Sequence, residues 1–134
     1  MSERAAVFGE GPVHVAPLTA SATAAVCALA RSLGLDTTRI DLFDCRSKSE
    51  LLSRVAAALD FPPTFGHNWD ALFDCLADLG WRAARGYVLV FEHAAALRKT
   101  EPEVFDTAVA ILADAAAAWQ TRGIPFRAFV STSP

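Results

Sequence analysis

The chain lacks the features that announce several large classes of protein. It has only three cysteines, Cys27, Cys45 and Cys75, with no C-x-x-C pair. An odd, scattered set argues against a disulfide framework and reads as reduced thiols serving as small core residues. No stretch approaches the roughly 18–20 apolar residues that a bilayer span requires, and ATAAVCALA at 22–30 is short and flanked by polar residues. The opening MSERAAVFGEGPVHVAPL mixes both charges with Gly and Pro and does not read as a signal peptide. There is no excess of basic charge, with 12 Lys and Arg against 15 Asp and Glu. A formal net charge of -3 argues against a nucleic-acid binder, which would carry a basic face. There is no Gly-rich phosphate loop, no G-x-S-x-G and no H-E-x-x-H. No repeat of fixed period and no flexible linker is present. These absences lead us to expect a cytoplasmic protein with no membrane segment, no direct nucleic-acid contact and no cofactor or metal.

What remains is enough for a core, since 53% of the 134 residues are apolar. Residues 1–11 read as loose and 13–18 as a short strand. A helix is predicted at 21–35, capped by Ser21 and ended by Gly34. A strand follows at 38–45. The next helix, 47–61, carries Leu51, Leu52, Val55 and Leu59 on one face and is stopped by Pro62 and Pro63. After a loop at 62–67 comes a helix at 68–79, which stops at Gly80. GYVLVFEH (86–93) has the continuous apolar character of a central strand covered on both faces. A long helix, with Pro102 in its first turn and Gly123 at its end, leads to a last strand at 124–131. Strands separated by helices imply crossovers and a mainly parallel sheet. The expected fold class is therefore α/β, a small sandwich forming one domain over 1–134. Its core unit is 36–134, and 1–35 form an N-terminal strand–helix extension.

The informative stretch is PPTFGHNWDALFDCL at 62–76. On a helical wheel Leu72, Cys75, Leu76 and Leu79 fall on one side and face the core. Asp70, Asp74 and Asp78 form an i, i+4, i+8 stripe opposite them, with Trp69 and Phe73 at the border. No Lys or Arg lies between Gly66 and Trp81. Asn68 is a good N-cap, and the helix dipole favours Asp70 in the first turn. Asp78 in the last turn is disfavoured by the same dipole, and like charges four apart repel by a few tenths of a kcal/mol. The stripe is thus a net local cost. A solvated acidic face and a functional one both fit it. The flanking aromatics favour function, since interfaces collect aromatics beside charges that become desolvated. Gly66 suits a left-handed turn or the close approach of another backbone.

FPPTFGHNWDALFDCL resembles the signature of the barstar family, intracellular inhibitors of secreted barnase-type ribonucleases. The matching run is apolar-Pro-x-x-aromatic-Gly-x-Asn-x-Asp-Ala-Leu-aromatic-Asp-Cys-Leu, and the likeness extends from Ile40 through the last strand. It implies a barstar-like sandwich with a three-stranded parallel sheet packed by helices. It also implies a protein that is not an enzyme and that plugs a ribonuclease active site with this loop and helix. The family's two helix carboxylates correspond to Asp70 and Asp74. Its binding loop corresponds to Thr64, Phe65, Gly66, His67 and Asn68, and its helix aromatic to Phe73; Trp69 adjoins them. An acid on the long helix also takes part in the family, and Asp114 is the candidate here. The sequence departs from the best-known member where two loop tyrosines become Thr64 and Phe65, and an acid becomes His67. Residues 1–35 have no counterpart there. The expected partner is a basic ribonuclease, bound by a chain that is monomeric when free.

Two other readings stay open on the residues alone. Asp70, Asp74 and His67 have spacing that acid–base chemistry or a metal could use, though no second ligand cluster accompanies them. Glu92 and His93 read as a solvated pair at a strand end, and His14 is isolated. Alternatively, the chain is a barstar-like module for a different toxin or regulatory protein.

Overall fold

A computed structural model describes residues 15–133. The elements in chain order are β1 (Val15–Pro17), α1 (Thr23–Ser32), β2 (Asp36–Asp41), α2 (Lys48–Ala58), α3 (Trp69–Asp78), β3 (Tyr87–Glu92), α4 (Ala95–Thr100), α5 (Pro102–Gln120) and β4 (Phe126–Val130). Short 3-10 turns occupy Ala20–Ala22 and Gly80–Arg82. The expectations for residues 1–11, for His14 and for the start of the strand at 13 lie outside the described residues.

Every strand pairing is parallel and the sheet order is β1-β4-β3-β2. The expected three-stranded unit is β2, β3 and β4. The N-terminal strand extends it, with Val15 opposite Ala128 and Pro17 opposite Val130. An edge strand tolerates Pro17, which has no N–H to give to a ladder. Alternation along β3 sends Tyr87, Leu89 and Phe91 to one face and Val88 and Val90 to the other. Both faces are covered, as the unbroken apolar run implied. On the first, α2, α3 and α5 bury Leu51, Leu52, Val55, Leu72, Leu76, Leu112 and Trp119. On the second, α1 buries Val26, Cys27 and Ala30 against Val88, Val90 and Phe129. The N-terminal helix is thus a third layer of the sandwich.

Local chemistry accounts for the boundaries. Ser47 caps α2 by accepting from Glu50 N–H at 3.1 Å, and its hydroxyl donates to the Glu50 carboxylate at 3.3 Å. Gly34 ends α1 in the left-handed region, φ 76°, while Leu35 N–H reaches back to the Ala30 carbonyl at 3.1 Å. Pro102 opens α5.

Other expectations are corrected. Ser21 does not cap α1, because a 3-10 turn precedes the helix and no side chain accepts from its first N–H groups. β2 stops at Asp41 rather than 45. The Asp41 carboxylate takes the Phe43 N–H at 2.9 Å, Leu42 O accepts from Cys45 N–H, and Asp44 turns left-handed at φ 54°. The sequence reading had no counterpart of α4, a single short helix anchored by the buried Leu97. Glu92 is not merely solvated at its strand end: Arg39 grips both its oxygens, at 2.7 and 2.9 Å.

Burial pushes the thiols of Cys27 and Cys45 and the phenol of Tyr87 above their ordinary values. The unfolded chain therefore releases these protons at lower pH than the fold does. Their contribution to stability is intact below the ordinary values and is lost as pH rises towards the raised ones. Melting temperature should be level near neutrality and fall from about pH 8.5 upwards. A melting curve unchanged through pH 11 would contradict this.

Candidate functional site

The loop between α2 and α3 is anchored by a chain of aromatic contacts. Trp81 donates its indole N–H to Leu59 O at 2.9 Å and meets Phe61 edge-on, and Phe61 meets Phe65 at 5.0 Å. Phe65 is 7% exposed, so this loop aromatic is turned into the core. Thr64, Gly66, His67 and Asn68 remain exposed.

The left-handed residue of the loop is His67, at φ 53°, and not Gly66. The His67 ring lies 4.7 Å from that of Phe65, with Nδ1 3.1 Å from the Phe65 carbonyl oxygen. These contacts hold a backbone conformation that a side chain normally disfavours. Gly66 has a different reason to be glycine. A β-carbon there would lie 3.0 Å from Asn68 Nδ2. Asn68 needs that space to cap α3, its Oδ1 accepting from Ala71 N–H at 2.8 Å while Nδ2 donates to Gly66 O.

The wheel reading of α3 holds. Leu72 and Leu76 are buried, Cys75 is half-buried, and Asp70, Asp74 and Asp78 are exposed. Trp69 and Phe73 are half-buried and pack on the main core. Leu79, not Gly80, adopts the left-handed conformation that ends the helix, φ 48°. Its side chain is fully buried, and that apolar burial offsets the backbone strain.

The far end of α3 is held by α5 and the turn after it. Trp119 Nε1 donates to Leu76 O at 2.8 Å, and Arg122 donates to Ala77 O while stacking 4.0 Å over the Trp119 ring. Carbonyls that a helix C-terminus leaves unsatisfied are thereby used to pin it. Arg82 continues the tie, gripping both oxygens of Asp36 at 3.0 Å and reaching Asp60 at 3.1 Å.

The acids differ in their engagement. Asp78 accepts from Gly80 N–H at 3.2 Å and so serves the turn. Among the described residues, no hydrogen bond or ion pair within the chain engages Asp70 or Asp74. The sequence around α3 holds no cation, but the fold brings one in: Lys48 Nζ sits 4.7 Å from the centre of the Trp69 ring. Asp114 is exposed on α5, a helix whose buried stripe is Leu112, Ala115, Ala116 and Trp119, and no hydrogen bond or ion pair joins it to α3. Among the described residues, no three His, Cys, Asp or Glu side chains converge as a metal site, and no helix is long and apolar enough to cross a membrane.

Sequence reasoning missed Lys48, Trp119 and Arg122. Each acts on α3 from another element, so no local spacing could reveal it. The left-handed His67 and Leu79 were missed because composition points to the neighbouring glycines.

Fold and site together define a parallel α/β sandwich that presents a capped, pinned, acid-bearing helix to solvent. The chain belongs to the barstar family: residues 35–131 match the family model described as barstar, the barnase inhibitor. This is an inhibitor family. The match begins after α1, so β1 and α1 lie outside it. No curated protein matches the chain.

Proposed function

We propose that the chain binds and inhibits a secreted barnase-type ribonuclease, blocking its active site with α3 and the preceding loop. The observation that carries this reading is the state of Asp70 and Asp74. Both are exposed and free of partners within the described chain, one turn apart on a helix fixed at both ends. A ribonuclease site is built to hold phosphate with cationic side chains. A carboxylate accepts paired hydrogen bonds from Arg much as a phosphate does. Two acids one turn apart, about 5–6 Å between β-carbons, imitate a short run of backbone phosphates. Their repulsion in the free protein is relieved when a cationic partner arrives.

On this reading Thr64, Gly66, His67 and Asn68 meet the rim of the site. Trp69 and Phe73 exclude water around the acids, Phe65 supports the loop from below, and Asp114 is peripheral. The protein acts in the cytoplasm, as a monomer until it meets its partner, and performs no catalysis itself.

The test is titration against barnase, reading RNA cleavage at low and high salt. Stoichiometric inhibition that weakens with salt supports the proposal. Absence of inhibition at both salts would overturn it and leave a different protein partner to be sought. Asp78→Ala provides the internal comparison. Because Asp78 already serves the turn at Gly80, its replacement should alter affinity less than about threefold, roughly 0.7 kcal/mol; a loss matching that of Asp74→Ala would show that Asp70 and Asp74 have no special place.

A further inference from the structure

Lys48 is an unusual residue at its position. It is the first residue of α2, immediately after the Ser47 cap, where the helix dipole favours an acid and opposes a cation. The neighbouring cations are committed to acids: Arg46 to Asp44 at 2.6 Å and Arg54 to Glu50 at 3.4 Å. Lys48 makes no ion pair among the described residues. It lies half-buried over Trp69, the residue before Asp70, with Nζ 4.7 Å from the ring centre. The indole holds the ammonium against α3 and shields one side of it from water, which strengthens its interaction with any charge on the open side.

The surface around the start of α3 is therefore mixed. A cation stands at one border and two acids follow along the helix. A surface that only imitated phosphate would gain nothing from Lys48, because a basic partner would be repelled by it. We infer that Lys48 is a specificity-determining residue of the partner-binding surface, matched by a carboxylate on the partner beside the cations that take Asp70 and Asp74. A partner lacking that acid meets an unpaired ammonium, which discriminates against purely basic nucleic-acid-binding surfaces.

This rests on the proposed inhibitor function, and the sign of one change separates the two. Lys48→Met keeps an unbranched apolar stem over Trp69 and removes the charge; Lys48→Arg keeps the charge. Both are measured against barnase by inhibition titration at low salt, with circular dichroism confirming the fold. If Lys48 meets an acid, Lys48→Met weakens binding about 3- to 30-fold and Lys48→Arg stays close to the parent. If Lys48→Met is unchanged or tighter while Asp74→Ala loses affinity, the assignment of Lys48 is wrong and the inhibitor reading survives. If the parent protein does not bind barnase, the inhibitor reading fails and Lys48 falls with it.

Discussion

Asp74→Ala is expected to weaken binding to barnase by about 2–5 kcal/mol. That is the general range for truncating one partner of a desolvated charge pair, for which barnase and barstar are themselves a standard case. It corresponds to roughly 30-fold to several thousand-fold in Kd. Asp74 is the acid best placed for such a loss. It sits mid-helix between Phe73 and Cys75, both half-buried, and no hydrogen bond or ion pair within the described chain competes for it. Removing it leaves a partner's cation desolvated and without an acceptor, so most of the loss should appear as faster dissociation. The free protein should be no less stable, since the variant relieves repulsion along the acid stripe. Stopped-flow association and dissociation rates, with thermal melts of both free proteins, would check this. A variant with parental dissociation rate would refute the phosphate-mimic reading.

The second large effect concerns stability. Phe129→Ala should destabilise the fold by about 3–5 kcal/mol, as expected for emptying a fully buried aromatic site. Phe129 is 1% exposed and belongs to the cluster formed with Val88, Val90, Val26, Cys27 and Ala30. Three of the seven buried residues of that cluster, Val26, Cys27 and Ala30, come from α1, outside the family match. A large loss with one cooperative transition would establish that β1 and α1 fold with the rest of the sheet. A loss under about 1 kcal/mol would mean that the layer is dispensable packing. Phe126→Ala, on the opposite face and also fully buried, is the calibrating variant.

The two variants probe opposite sides of the same sheet, and they differ in how far the sequence foretold them. The Asp74 side was legible. Leu72, Leu76 and Leu79 recur at helical spacing, which places the acids outward before any coordinates are known. Asn68 caps through atoms three residues away, again a local relation. The layering was less legible. The apolar run of β3 called for cover on both faces, yet nothing in residues 15–34 says that they provide it. That depends on β1 docking against β4, whose strand begins over a hundred residues later.

By itself, then, the sequence determined the α/β class, the parallel sheet, the two faces of α3 and the family, because periodicity, caps and a contiguous motif are local properties of the chain. Tertiary structure alone decided the rest. It set Lys48 over Trp69, tied Leu76 and Ala77 to Trp119 and Arg122, and turned Phe65 into the core. It also gave the left-handed positions to His67 and Leu79 rather than to the adjacent glycines. The physical reason is common to all of these. A burial or a cation–π contact between distant residues can outweigh a local preference of about a kcal/mol, and only the assembled fold brings those partners together.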